Sequence, residues 1–586
     1  MERHRQAVRL IAATVRGYFE KSVPFRITHG STNSTRPARL KSKSRLVDIS
    51  ALKNVLEVDT TRRVALVEPN VPMDCLVEST LRHGLLPPVV MEFPGITAGG
   101  GFAGTAGESS SFKHGYFDRS VNAVEMVLPD GEVVVAKPGR GRPDDEDDGG
   151  VAGRKAITDT KLGEGEDPDK YADLFHGAAG AVGTLGVTTL LELQLIEAKR
   201  FVRTTYRRTN NTAEAIRAVR EECAKSNNDY VDGILFSEGH GVIVSGEMTD
   251  ELPAGQKVHT FSNPWDPWFY MHVREVTKGL PSSSAASGSS STPTSGALQT
   301  QGTVTEYIPL AEYLFRYDRG GFWVGQAAFD YFWLVPFTRF FRWFLDDFLH
   351  TRMLYRALHA SGESGRFFVQ DLGIPYDTAE EFIKYTNKSL NIWPLWLCPL
   401  KTPRGPSFHP HVRRLPCIGS GSSDNLSTKA GSDSDPQSQA QQATVTGTDT
   451  EMLNVGVWGW GPKNKADFVR VNRALEDKVN ELGGMKWLYA HTYYSEAEFW
   501  DAFGGCVAYE ALRAKYRATS LPSVYDKVKA RDEDKTAEKG WKPLVKSLWP
   551  VGGFYGIYKS IQSKDYMLHR HATWRWRPGS EKEKTG

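Results

Sequence analysis

The sequence predicts an α+β protein built from two units, and three observations carry that reading. The first two hundred residues alternate helix-like and strand-like segments around three glycine-bearing turns. From about residue 200 the pattern becomes strand, helix, strand (RFVRTTYRR, AEAIRAVREECAK, VDGILFS, GVIVSGEMT), as an α+β sheet layered with helices requires. Low-complexity stretches at 282–301 and 419–450, rich in Ser, Thr, Gly and Gln, interrupt the second part and read as unstructured excursions.

Taken in order, residues 4–20 form an amphipathic helix with Val8, Ile11, Ala12, Val15, Tyr18 and Phe19 on one face and arginines elsewhere. Such a helix packs on the first unit. The first glycine turn follows a short apolar strand in FRITHGSTNSTR, where His29, Gly30, Ser31, Thr32, Asn33 and Ser34 offer N–H and hydroxyl donors and Arg36 adds charge. Strands are expected near Val47 and Val64 and a helix over 73–83. The second glycine segment, 93–118, is FPGITAGGGFAGTAGESSSFKHGYFD. Its Thr97, Gly99, Gly100, Gly101, Gly104, Thr105, Gly107, Ser109 and Ser110 give bare backbone and hydroxyls, which suit close approach to a large, planar, anionic ligand. Gly99, Gly101 and Gly104 satisfy GxGxxG, so a Rossmann unit is considered. Pro94 interrupts the approach strand, Ser109 to Ser111 and Gly115 spoil the following helix, and Glu125 falls inside its strand, all against that alternative. The third segment spaces Gly177, Gly180, Gly183 and Gly186 three apart, then becomes a Thr/Leu strand from Val187. Residues 139–171 are charged and glycine-rich and read as a loop. Later, an amphipathic helix at 463–482 stops at Gly483-Gly484, followed by a strand MKWLYAHTYY and a helix SEAEFWDAF.

Net charge is +2, so nothing points to nucleic acid. The five cysteines are odd in number, scattered and without CxxC, which favours a reducing compartment and offers no zinc site. His409 and His411 form an HxH beside prolines and read as loop, so no metal is expected. No signal peptide and no run of eighteen apolar residues is visible. Residues 322–349 are dense in aromatics yet carry Asp330, Pro336, Arg339 and Arg342, which forbid a clean span; core, substrate pocket and membrane contact all remain open. Residues 542–577 mix tryptophans and tyrosines with Lys546, Lys559, Arg575 and Arg577, a composition suited to a bilayer interface.

The order of the three glycine segments resembles the vanillyl-alcohol-oxidase type of FAD-binding domain. The blocks GTAGESSSFKHGYF, EYIPL, FFVQDLGIP, WPLWLCPL, LYAHTYYSEAEFWDAFGG and LPSVYDKV resemble more closely the delta-24 sterol reductase (diminuto) group, over residues of about 20 to 530. The resemblance implies an FAD-binding domain at 1–199, a cap or substrate domain at 200–460, a C-terminal return to their interface at 461–535, and an aromatic-basic tail at 536–586. It also implies NADPH as co-substrate, a sterol-like lipid as substrate, and the cytoplasmic face of the endoplasmic reticulum membrane as location. Family members carry an N-terminal membrane anchor and this chain opens without one, so the expected attachment is peripheral or weak. In oxidases of the superfamily a histidine near the end of the first glycine turn often holds FAD covalently; Asn33 occupies that place here, so FAD is expected to be non-covalent.

Reducing an isolated alkene calls for a proton donor, a dry pocket and π-faces beside developing positive charge. Glu108, in the glycine–serine loop, is the first acid; its alternative role is to brace the loop. Lys113 and His114 follow shortly after, and Tyr489 and His491 lie on the returning segment. Glu306, Tyr307, Arg316 and Arg319 fit the family's cap pattern and shape it, and Asp118 reads as a turn cap. Two other readings stay open: an FAD-dependent oxidase or dehydrogenase of a polyol, lactone or hydroxy acid, and a non-catalytic, membrane-associated interaction protein.

Overall fold

Two sheets organise the chain. A five-stranded sheet has the order Val55–Asp59, Val64–Val67, Val187–Gln194, Val121–Val127, Val133–Ala136, with every pairing antiparallel. That removes the Rossmann alternative, which needs a parallel sheet. A two-stranded parallel sheet, Arg26–Thr28 with Leu46–Asp48, stands beside it. The second large sheet has nine strands and runs through the later sequence. Its far half pairs Leu395–Leu400, Met452–Trp460 and Phe367–Pro375, with Met485–Lys486 at the edge. This computed structural model describes residues 1–30, 45–139, 160–281, 298–300, 302–401, 408, 451–530 and 549–577. Ser31, Thr32, Asn33, Ser34, His409, His411 and the 419–450 insert lie outside the described residues.

The opening helix, Glu2–Glu20, buries Val8, Ile11 and Val15 in the core of the first unit. Its fourth residue, His4, is buried and held between two acids, at 2.9 Å from Glu68 Oε1 and 3.1 Å from Glu125 Oε1. Residues 160–171, expected within a structureless loop, instead form turns fastened to the five-stranded sheet. Glu192 accepts the Leu162 N–H at 2.8 Å, and Lys137 Nζ donates to the Gly163 carbonyl at 2.6 Å. Polar groups buried beside a sheet edge need partners, and these turn amides and carbonyls supply them.

A second correction concerns MKWLYAHTYY. Only Met485–Lys486 pairs as strand. Beyond it the backbone is irregular because side chains take over its anchoring: Lys486 Nζ donates to Glu476 at 2.6 Å and to the His491 carbonyl at 2.7 Å, and Trp487 Nε1 donates to the Thr105 carbonyl at 3.0 Å. The helix Glu496–Ala502 starts on a capping box made by Ser495 and Glu498.

Buried ion pairs join the two units. Arg352 meets Asp74 with two bonds of 2.7 and 2.9 Å, and Arg316 reaches Glu92 at 2.8 Å and Asp232 at 3.1 Å. Lys113 Nζ crosses to Asp229 at 2.7 Å. Among the described residues no helix is long and apolar enough to cross a membrane.

Candidate active site

A cavity of about 960 Å³ lies between the units. Its wall on the first unit is nearly side-chain-free. Thr97 caps the helix Ala98–Gly104, its hydroxyl accepting the Gly100 N–H at 3.2 Å, and Gly99, Gly100 and Gly104 then face the cavity, with Gly107 just beyond. Gly183 and Gly186 complete this wall. The glycines serve different needs. A Cβ on Gly99 would meet Pro69 Cβ at 2.6 Å, so close backbone packing requires glycine there; a Cβ on Gly104 meets nothing within 4 Å and would stand in the cavity.

The opposite wall is the face of the nine-stranded sheet. Asp371, Trp396, Asn454 and Trp458 face the cavity from three adjacent strands. Gly456 pairs with both Asp371 and Trp396, and a Cβ on it would meet Asp371 Oδ1 at 3.0 Å and Trp396 Cβ at 3.2 Å. Its bareness lets carboxyl and indole share one patch. Phe322 completes an aromatic box, with ring centroids 4.5 Å from Trp458 and 5.4 Å from both Trp396 and Phe93. Phe322 holds φ +56°, a left-handed conformation costly for an aromatic residue, kept in place by stacking on Tyr317 at 3.9 Å.

Three carboxyls look into this space: Glu92, Glu108 and Asp371. Burial pushes Glu108 well above the usual carboxylate range, and the nearby charges of Glu92 and Asp371 push the same way against Arg316. Burial likewise raises Asp371 to about 7, although Asn454 Nδ2 donates to it at 3.1 Å. The Tyr489 hydroxyl donates to the other Asp371 oxygen. Glu92 is raised to about 7 by burial in spite of its bond to Arg316. Burial thus raises the proton affinity of all three carboxyls in an aromatic-lined space, as a proton donor requires.

A family profile described as an FAD binding domain matches residues 7–137. The Delta(24)-sterol reductase of Homo sapiens is 26% identical over 541 residues, covering 90% of this chain and 86% of the human protein. The Arabidopsis thaliana Delta(24)-sterol reductase is 25% identical over 513 residues, 82% and 76% of the two chains. The Caenorhabditis elegans Delta(24)-sterol reductase homolog is 24% identical over 510 residues, 85% and 81%. This chain is an FAD-binding relative of the delta(24)-sterol reductases.

The residues present fit FAD. Gly104 and Gly100 bare their backbone to the cavity, and Arg26 and Lys527 bring positive charge to the same wall. Lys527 Nζ also donates to the carbonyls of Val182 and Gly183 at 2.9 and 3.0 Å, fixing the Gly183 turn from the C-terminal part of the chain. His29 lines the cavity where the first glycine turn begins; the rest of that turn beyond Gly30 lies outside the described residues.

Of the residues picked from sequence, Glu108, Tyr489 and His491 line the cavity, and so do Thr97, Gly99, Gly100, Gly104, Gly107, Gly183 and Gly186. Others stand behind its wall. Gly101 packs on Met91 and Phe117, and Gly180 on Phe408 and Thr105, in places where a Cβ would collide. The Thr105 carbonyl receives Trp487, and the Ser110 hydroxyl donates to the Pro88 carbonyl at 2.9 Å. The Ser109 carbonyl takes the Val231 N–H at 2.8 Å. Gly30 turns at φ +72° against Ser50, and Val187 is fully buried in the core. His114 closes the short helix Ser111–His114 and does not reach the cavity. Arg316 is buried in the ion network behind Glu92, and Glu306 faces His272 at 2.8 Å inside the second unit. Sequence reading missed Glu92 and Asp371. Each is the only charged residue in its stretch (LPPVVMEFPGI and FFVQDLGIP), and that is the signal that marks them.

Proposed function

We propose that this FAD-binding oxidoreductase reduces the side-chain carbon–carbon double bond of a sterol or similar lipid, with NADPH as hydride donor. The observation that carries the reading is the placement of three buried carboxyls of raised proton affinity beside an aromatic box, across the cavity from a bare glycine wall. The relatives' name, Delta(24)-sterol reductase, supports the substrate class. FAD, when bound and reduced, supplies the hydride. The chain's own part is to seat an apolar side chain against Phe322, Trp396 and Trp458, exclude water and deliver a proton from Glu108. Proton delivery comes first, because an isolated alkene has no carbonyl to draw hydride. The resulting tertiary cation faces π-clouds that stabilise it. Burial first, then the charges of Glu92 and of Asp371, which is bonded to Tyr489, raise the proton affinity of Glu108. NADPH uses the same cavity, where Lys463 and Lys465 offer cations for its phosphates. We divide the chain functionally as 1–199, 200–460, 461–535 and 536–586, and place it peripherally on the cytoplasmic face of the endoplasmic reticulum.

The test is anaerobic. Purified protein is expected to be yellow, to release its flavin on acid precipitation, to bleach with NADPH, and to recover its colour on adding a sterol with a side-chain double bond. Oxygen uptake with a polyol or hydroxy acid, without NADPH, would establish the oxidase alternative instead. A colourless protein would leave only an interaction role.

A further inference from the structure

The exposed aromatic surface belongs to two segments far apart in sequence that meet in space. On the helix Val551–Ser563, Gly552, Gly553, Gly556 and Ser560 are buried. Gly553 lies against Tyr331 and Phe332, and Gly556 against the Ala357 carbonyl, so closely that a Cβ would meet Phe332 at 2.4 Å and the Ala357 oxygen at 2.5 Å. The opposite stripe, Val551, Phe554, Tyr558 and Ile561, follows helical spacing and faces outward. The segment 331–344 also exposes apolar side chains, Trp333, Leu334, Phe340 and Phe344, with Trp333 68% and Phe344 65% exposed. Ring contacts weld the two sets: Trp333 stacks on Trp549 at 6.1 Å, and Phe332 meets Phe554 at 5.5 Å. Elsewhere on the described surface, exposed large apolar side chains such as Leu10, Val133, Leu252 and Val507 are scattered along the chain. A contiguous patch of this kind marks an interaction site.

Charge and position select the occupant. Arg339 is exposed beside Phe340, and Lys559 lies 5.8 Å from the ring centroids of both Tyr555 and Tyr558. Of the acids nearby, Asp347 is paired with Arg570 and Asp565 with Arg356, while Asp330 is exposed. The patch also continues into the cavity. Gly362 and Gly365 line the cavity and are exposed, with nothing within 4 Å of a Cβ on either, so the cavity reaches the surface there. Arg366 in that lip lies 5.2 Å from the Trp460 ring, which stacks on Tyr331 at 6.0 Å, whose neighbour Phe332 meets Phe554.

We propose that residues 331–344 and 549–568 form one docking face for an anionic phospholipid bilayer, and that it presents the Gly362–Arg366 lip to the membrane so that an apolar substrate enters without crossing water. Aromatic rings and flanking cations suit the headgroup level. The docking face stands on geometry; that the cargo is a sterol rests on the function proposed above.

The full chain is floated with vesicles of phosphatidylcholine carrying about one-fifth phosphatidylserine, free of sterol. Wild type is expected to bind, more weakly to phosphatidylcholine alone. Two triple variants, Leu334→Ser/Phe340→Ser/Phe344→Ser and Phe554→Ser/Tyr558→Ser/Ile561→Ser, are each expected to lose roughly tenfold in vesicle affinity. Both should keep flavin and its reduction by NADPH, since none of these side chains lines the cavity. Turnover of vesicle-borne sterol should fall in both, while turnover of cyclodextrin-delivered sterol should not. Failure of the wild type to bind, or undiminished binding in either variant, overturns the proposal. So does a wild-type dimer in light scattering that both variants split, which would make the patch a self-interface. Absence of sterol turnover by either route, with vesicle binding intact, would sink the proposed function and leave the docking face standing.

Discussion

Asp371 and Glu108 approach the same space from different units, and the charge of Asp371 raises the proton affinity of Glu108. A general acid works while protonated, so turnover persists below its pKa and falls as pH rises through it. With Glu108 held well above the usual carboxylate range, the descending limb should lie on the alkaline side of an ordinary carboxylate's. Glu108→Gln is expected to retain flavin and its reduction by NADPH while single-turnover reoxidation by sterol slows by about 10²–10⁴-fold. Asp371→Asn removes a negative neighbour, so the descending limb should move to lower pH with the acid still present. A limb that stays fixed in Asp371→Asn and vanishes in neither variant would assign proton delivery to another group. At this scale the sequence offered Glu108, because a carboxylate in a glycine–serine loop stands out. It did not offer Asp371 as a titrating group, because that depends on burial by strands remote in sequence.

Elements explain which glycines face the cavity and which only permit packing. Gly104→Val adds a branched side chain on the cavity side, where its Cβ meets nothing within 4 Å. It should abolish flavin binding, read from absorbance per mole of protein, while the denaturation midpoint changes by no more than about 1 kcal/mol equivalent. Gly183 is a poorer probe: φ +70° would strain any replacement whatever the ligand does. The opening helix makes a separate prediction. Burial opposes the His4 charge, yet hydrogen bonds to Glu125 and Glu68 outweigh it and raise His4 to about 9. A raised folded-state pKa gives stability that is fully present below the unfolded value of about 6.5 and lost as pH climbs through 9. His4→Gln should therefore be less stable than wild type by on the order of 2 kcal/mol near pH 6, the gap closing by pH 9 to 10 in denaturant titrations. The amphipathic pattern of this helix was legible from spacing. The clamp was not, since Glu68 and Glu125 come from other elements.

Across the whole molecule, the cavity exists because the two units are locked together. The Arg352–Asp74 pair is buried on both sides, so Arg352→Met leaves a carboxylate desolvated and alone. It should cost about 3–5 kcal/mol, and adding Asp74→Asn should recover a large part of that loss. A double variant no better than the single would show that packing of the arginine stem, and not charge, sustains the contact. The sequence by itself determined the α+β class, the glycine-bearing cofactor wall and the alternating strands of the second unit. Those are local properties: backbone freedom and hydrophobic period are written within a few residues. Only the tertiary structure decided that Glu92, Glu108 and Asp371 share one cavity, and that the aromatic run after Phe322 splits between cavity and surface. It alone turned MKWLYAHTYY from a strand into a cavity-lining segment. Burial and charge coupling are sums over atoms brought close from distant parts of the chain, and no local pattern contains them.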